Sequence, residues 1–312
     1  MDINSITEAR ERITPYIKRT RLERSDTLSR TLATNVYVKL ELFQKTGSFK
    51  VRGAFNKLLS TPEIELANGV VAVSGGNHAQ AIAYASSVLG LDSVVLMPDS
   101  TPENYVNATR GYGARVELKP TIAEAFAEVD RYKSEGRVFV HPFDDETVMS
   151  GQGTLGLEIV EDLPEVTDVI VSIGGGGLMS GVATAIKSEL PHVKLWGVET
   201  VGADAMSQAM KAGHPVTLPA ITSIAKTLGA PAVSEKTLAA ALQYLESVTV
   251  VTDAEAIAAL EFILQRLKIL TEPAASCTLA AADKLRSDLG SHMVLILCGG
   301  NLALTDLCQF TK

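Results

Sequence analysis

Residues 169–178, Val169-Ile170-Val171-Ser172-Ile173-Gly174-Gly175-Gly176-Gly177-Leu178, pass from an uninterrupted apolar run through four consecutive glycines into a helical pattern that begins near Met179. An apolar run without alternation suits a strand buried on both faces, as in the middle of a parallel sheet covered by helices. Four glycines are more than a tight strand-to-helix turn requires. Backbone amides freed of Cβ atoms and converging on a helix amino terminus form a cradle for a phosphate dianion. Met179 and Ser180 stand where the third glycine of a G-x-G-x-x-G dinucleotide fingerprint falls, and no Lys-Ser or Lys-Thr pair follows as in a P-loop. A monophosphate group therefore fits better than a nucleotide.

Outward from this stretch, short β-rich apolar runs lie at 36–40, 70–73, 94–97, 138–141, 195–198, 248–251 and 294–297. Helical periodicity at 79–89, 182–190, 238–245 and 254–267 separates many of them. Such alternation predicts an α/β fold with parallel sheets, and the length leaves room for two open, twisted ones. No long linker, low-complexity tract or tandem repeat interrupts the chain, so a second domain must pack closely on the first.

The 312 residues are 46% hydrophobic, 21% charged and 5% aromatic, an ordinary globular composition that excludes disorder. The net charge is -8, and no basic cluster offers a footprint for nucleic acid. The start of the chain mixes charged with apolar residues and lacks the pattern of a secretory signal; no apolar stretch reaches the roughly 18 residues of a membrane span. Cys277, Cys298 and Cys308 form no C-x-x-C pair, as expected of thiols in a reducing compartment, so a cytoplasmic protein without nucleic-acid or membrane partners is expected.

Two more segments place small polar residues at strand ends, where open α/β sheets bind ligands. Ser74-Gly75-Gly76-Asn77-His78-Ala79-Gln80 can grip a carboxylate with its hydroxyl and free amides, or simply cap the helix that follows. Thr46-Gly47-Ser48-Phe49-Lys50-Val51-Arg52-Gly53-Ala54 carries a lysine between an aromatic residue and glycines, which alone reads equally as a solvated helix lysine.

Taken in order over nearly the full length, these segments resemble the serine/threonine dehydratase family of fold-type II pyridoxal-phosphate (PLP) enzymes, whose architecture is tryptophan synthase β-like. Gly47-Ser48-Phe49-Lys50 is similar to the family's cofactor motif, the stretch from Ser74 to its substrate loop, the glycines to its phosphate loop, and Leu297-Cys298-Gly299-Gly300-Asn301 to its closing motif. The resemblance implies that Lys50 holds the cofactor aldehyde as a Schiff base and, once freed, abstracts the Cα proton. It implies phosphate binding by Gly174, Gly175, Gly176, Gly177 and Leu178, with Phe49 and Thr227 flanking the ring. Asn77 would bond the phenolic oxygen, and Cys298, with Gly299, would face the pyridine nitrogen. A thiol cannot keep that nitrogen protonated, which favours prompt loss of the β-hydroxyl over a long-lived carbanion. Ser74, Gly75, Asn77 and His78 would bind the substrate, and Ser74 joins Lys50 as a catalytic candidate.

Glu272 in Thr271-Glu272-Pro273 matches a family glutamate near the cofactor, although a glutamate before a helix-starting proline has an ordinary reading too. Glu199 and Ala203, with the carbonyls of Leu228, Ala230 and Gly174, resemble the family's cation site. Ala205 stands where relatives that bind a divalent ion have a second carboxylate, so a monovalent ion such as potassium is expected. Racemases of the family carry a second serine where this chain has Gly75, so little racemisation is expected. The implied reaction is elimination of water from a small 3-hydroxy amino acid of the threonine or serine type, giving a 2-oxo acid and ammonia; hydroxyaspartate and phenylserine share the same reacting atoms. Residues 1–67 with 147–312 are expected to form a large domain, 68–146 a small substrate-loop domain, and the whole a homodimer. Few residues follow Cys298, so an appended regulatory domain is not expected.

Overall fold

The structure, a computed structural model, describes residues 1–310. The ten strands among the described residues are β1 (Leu22–Arg24), β2 (Asn35–Lys39), β3 (Val70–Val73), β4 (Ser93–Pro98), β5 (Arg115–Lys119), β6 (Val138–Phe139), β7 (Asp168–Ser172), β8 (Lys194–Thr200), β9 (Leu245–Val251) and β10 (His292–Ile296). They form a six-stranded sheet in the order β1-β2-β10-β7-β8-β9 and a four-stranded sheet in the order β5-β4-β3-β6. Every pairing among them is parallel except β1 with β2.

The apolar run that opens the sequence reading becomes β7, inside the larger sheet between β10 and β8. Its residues Val169, Ile170 and Val171 are buried in the main hydrophobic cluster, in keeping with helices over both faces. All eight apolar runs are found as strands or parts of strands; β1 and β5 are additional. Both additions are sheet edges whose charged residues alternate with few apolar ones, as edges that resist aggregation require. Two expected helices end differently. The helix expected over 238–245 stops at Tyr244 and Leu245 opens β9, while that over 254–267 is α-helical only through Phe262 and closes as a π-turn, Ile263–Leu267.

The helix Glu146–Asp162 is the frame on which the site is mounted. Asp145 caps it, accepting from the amides of Thr147 at 2.8 Å and Val148 at 3.1 Å. Its glycines allow two other helices to approach backbone to backbone. A Cβ on Gly151 would lie 2.6 Å from Arg52 O, and one on Gly156 would lie 2.9 Å from Val182 O. The helix Lys50–Ser60, which begins at the lysine, and the helix Gly177–Glu189, which begins at the glycine loop, are thereby held at a fixed separation.

The lysine helix is further locked by charge. Arg52, fully buried, donates from Nε to Glu41 Oε2 at 2.8 Å and from Nη1 to Glu158 Oε1 at 2.7 Å; Lys39 Nζ lies 2.6 Å from Glu158 Oε2. Two cations face two carboxylates, so the buried charges balance. The same helix buries Val51, Ala54, Phe55 and Leu58 in a cluster with Val70, Ala72 and Ile82 of the smaller sheet and its covering helix. Lys50 thus starts an element anchored to both sheets.

Candidate active site

Loops leaving the carboxyl ends of β3, β4, β7 and β10 meet at a cleft of about 970 Å³. This is where open α/β sheets accept ligands. The cleft brings together Phe49, Lys50, Ser74, Gly75, Asn77 and His78 with Gly174, Gly175, Gly176, Gly177 and Leu178, and with Thr227, Glu272 and Cys298. Four segments scattered through the sequence reading therefore share one space.

Lys50 reaches into this space from the first position of its helix, and its Nζ donates to Pro142 O at 2.8 Å. Burial of the ammonium, incompletely offset by the Glu272 carboxylate, lowers its pKa to about 8. A large share of the amine is then neutral, and so nucleophilic and basic, slightly above neutrality. Phe49 packs beside it, with Nζ 5.2 Å from the ring centroid.

The glycine loop enters the helix Gly177–Glu189 through Gly176, whose φ of +93° few side chains tolerate. A Cβ on Gly175 would sit 2.1 Å from the Phe143 ring, so the loop lies flat under that ring and side chains are excluded from it. Opposite, Ser74 Oγ accepts from Gly76 N at 3.1 Å, and Gly76 begins the helix Asn77–Val88 without a side-chain cap. The first amides of that helix have no acceptor within it. His78 turns away from the loop, with Nε2 3.0 Å from Val140 O, and burial drives its pKa down to about 3. It is neutral, so the ring N–H on Nε2 donates to that carbonyl.

At the back of the cleft Glu272 immediately precedes the helix Pro273–Lys284, its side chain free of any cap bond. Its Oε1 accepts from Asn77 Nδ2 at 2.8 Å and from Thr227 Oγ1 at 3.0 Å, while Oε2 is buried without a partner. Burial raises this carboxyl to about 7. Gly299 does not line the cleft, but a Cβ there would lie 2.6 Å from Glu272 Oε1. Cys298 is buried and its thiol is pushed well above the usual range, so it stays protonated. Asn301, which the sequence reading quoted only as part of a motif, donates from Nδ2 to Asn77 Oδ1 and to Thr46 O, both at 2.7 Å. It orients the Asn77 amide.

Of the expected cation ligands, Gly174, Leu228 and Ala230 line the cleft, whereas Glu199 and Ala203 do not. Glu199 is fully buried, accepts from the amides of Met206 and Ser207 at 2.8 Å each, and is raised to about 8 by burial. No group of three or more His, Cys, Asp or Glu side chains suited to a metal occurs among the described residues. Nor is any helix among them long and apolar enough to cross a membrane. Cleft residues missed from sequence include Thr101, Tyr105, Pro142 and Phe143. Thr101, Pro142 and Phe143 come from loops and Tyr105 from the helix Glu103–Gly111, none of them within a motif; only the fold places them.

Comparison with known proteins agrees with this geometry. The family model described as pyridoxal-phosphate dependent enzyme matches residues 13–299. An L-threonine ammonia-lyase of Geobacter sulfurreducens is 41% identical over 300 residues, covering 95% of this chain and 75% of that protein. The catabolic L-threonine dehydratase TdcB of Escherichia coli is 37% identical over 319 residues, covering 99% and 95%. Among solved structures, maize serine racemase superposes with a TM-score of 0.95 at 34% identity, covering 99% of this chain and 96% of that one. The processed form of threonine deaminase isoform 2 from Solanum lycopersicum gives 0.91 at 30%, covering 100% and 94%.

The residues present fit a phosphorylated aldehyde cofactor on grounds of their own. The cleft supplies a buried amine for the aldehyde, a flat four-glycine cradle for the phosphate and an amide at Asn77 for a ring oxygen. With matches of this length and identity, the chain belongs to the fold-type II pyridoxal-phosphate-dependent enzymes, in the serine/threonine dehydratase (ammonia-lyase) family.

Proposed function

We propose that this protein removes water from a small 3-hydroxy amino acid of the threonine or serine type and releases a 2-oxo acid and ammonia. The observation that carries the reading is the Lys50 amine, lowered to about 8, in the same cleft as the glycine cradle and the open helix terminus at Asn77. When bound, PLP supplies an electron-withdrawing ring that makes the Cα proton of an attached amino acid acidic. Lys50 Nζ is the base that takes this proton, its pKa being close to the operating range.

The amides of Gly174, Gly175, Gly176 and Gly177, at the positive end of their helix, hold the phosphate, with Leu178 behind them. Ser74 and the amides at Gly75, Asn77 and His78 hold the substrate carboxylate and so orient the bonds to be broken. Ser74 acts there as a ligand; Gly75 has no side chain to set a second base on the opposite face, so racemisation is minor. Asn77 Nδ2 gives one N–H to Glu272 and has a second for the ring oxygen. Phe49 and Thr227 bound the ring, and Cys298 presents a neutral thiol, without a carboxylate, at the ring nitrogen.

A potassium ion at Glu199, Ala203, Leu228 and Ala230 belongs to the same reading. It is supported by a carboxyl group that is fully buried and bonded by backbone amides, a setting in which a cation would favour its ionised form. So do the division into 1–67 with 147–312 and 68–146, a small domain that closes on the substrate, a cytoplasmic location and a homodimer. Release of 2-oxo acid should be measured from L-serine, L-threonine, threo-3-hydroxyaspartate and phenylserine, with PLP and with potassium or sodium. Turnover of L-threonine or L-serine, faster with potassium, is expected; holoenzyme that releases no oxo acid from any of the four overturns the reading.

A further inference from the structure

Thr101 occupies a turn after β4, where its amide donates to Pro98 O at 3.0 Å. Because β3 and β4 are parallel neighbours, the segments leaving their carboxyl ends, 74–76 and 99–102, run side by side at the cleft. The Thr101 hydroxyl oxygen is buried and has no hydrogen-bond partner. It faces the position in the substrate loop where there is no side chain: a Cβ on Gly75 would lie 2.7 Å from Thr101 Oγ1. That is too close for a real Cβ, so the two residues are matched, a hydroxyl on one wall filling the space left by a glycine on the other.

A buried hydroxyl without a partner is destabilising, and a bound molecule in the cleft that accepts from it recovers that loss. The local chemistry says which part of that molecule. Ser74 Oγ accepts from Gly76 N and keeps its O–H for the same site, and the uncapped helix start at Asn77 favours negative charge. Among the groups of an amino acid, only the α-carboxylate is an anion that accepts hydrogen bonds. Thr101 is also held in place from outside the turn, since Tyr105 OH, one helical turn on, donates to Asn301 O in the closing motif.

We infer that Thr101 Oγ1 is a further substrate-binding group, donating to the α-carboxylate held at the loop of Ser74 to His78, and that Gly75 lacks a side chain to make room for it. The inference rests on the proposed amino acid substrate. Its test compares the holoenzyme with Thr101→Val, which keeps the shape and removes the O–H, and with Thr101→Ser, which keeps the O–H. A third variant, Gly75→Ser with Thr101→Ala, moves a hydroxyl from one wall to the other. KM and kcat for the preferred substrate are read together with the dissociation constant of L-alanine, which has the α-carboxylate and no leaving group, from the visible absorbance of the bound cofactor.

Thr101→Val is expected to raise KM and the L-alanine constant about tenfold, the scale of a hydrogen bond to a charged group, with kcat within about twofold. Thr101→Ser is expected to stay near wild type, and the exchanged pair to regain most of the lost affinity. Unchanged KM and L-alanine binding in Thr101→Val overturns the inference, as does an equal loss in Thr101→Ser, which would mark a steric effect. Should wild type dehydrate nothing, the proposed reaction fails, and the L-alanine comparison still decides the role of Thr101.

Discussion

Asn77 Nδ2 donates to Glu272 Oε1 at 2.8 Å, joining two residues 195 positions apart and one from each sheet's loops. Asn77 follows β3 of the smaller sheet, and Glu272 immediately precedes the helix Pro273–Lys284, which leads towards β10 of the larger. Thr227 and Asn301 complete the cluster. The Asn77 amide is thus set by contacts from both halves of the molecule.

The Glu272 carboxyl gives the apoprotein a pH-dependent stability. Its folded pKa of about 7 lies above the 4.5 of an ordinary glutamate, so the folded state keeps a proton that the unfolded chain has lost. The contribution is complete below pH 4.5 and disappears as pH rises through 7. Urea midpoints of the apoprotein at pH 5 and pH 8 should show wild type losing up to roughly 3 kcal/mol relative to Glu272→Gln. Parallel pH profiles for the two proteins would contradict this.

Arg52 should be needed for stability before it is needed for chemistry. Arg52→Met leaves Glu158 buried with Lys39 and takes from the buried Glu41 its cation. Losing one partner of a buried ion pair costs about 3–5 kcal/mol, which should appear as a large drop in the chemical denaturation midpoint.

The glycine cradle admits a direct steric test. Gly175→Ala places a methyl group 2.1 Å from the Phe143 ring, which must then move. Cofactor retained after gel filtration should fall sharply, and Phe143→Ala in the same chain should restore part of it. Full retention by Gly175→Ala alone would show that the ring is not fixed over the loop.

In the apoprotein, modification of Lys50 by an amine reagent such as trinitrobenzenesulfonate, followed on its peptide by mass, should rise through pH about 8. An ordinary lysine, at 10.5, reacts chiefly in more alkaline solution. A Lys50 profile matching that of the surface lysines would contradict burial of the amine.

Much of this was legible in the sequence because the informative residues had strong local causes. The β7 run is apolar throughout, and four glycines in a row leave few readings; the fold class follows from the first, and the proposed phosphate cradle rests on the second. The edge strands β1 and β5 gave no such signal, because their charged residues look like loop. Pairing in space was harder still. Asn301 reads as part of a motif, but its hold on Asn77 depends on where β10 ends relative to the smaller sheet. Thr101 has no motif at all, and its meaning arises only from the missing Cβ across from it.

The most direct measurement of the account is 2-oxo acid release from L-threonine and L-serine by wild type and Lys50→Ala, each supplied with PLP. The account predicts turnover by wild type and a loss of at least about a hundredfold in the variant, the scale of a missing general base. A Lys50→Ala protein that eliminates water at close to the wild-type rate would contradict it.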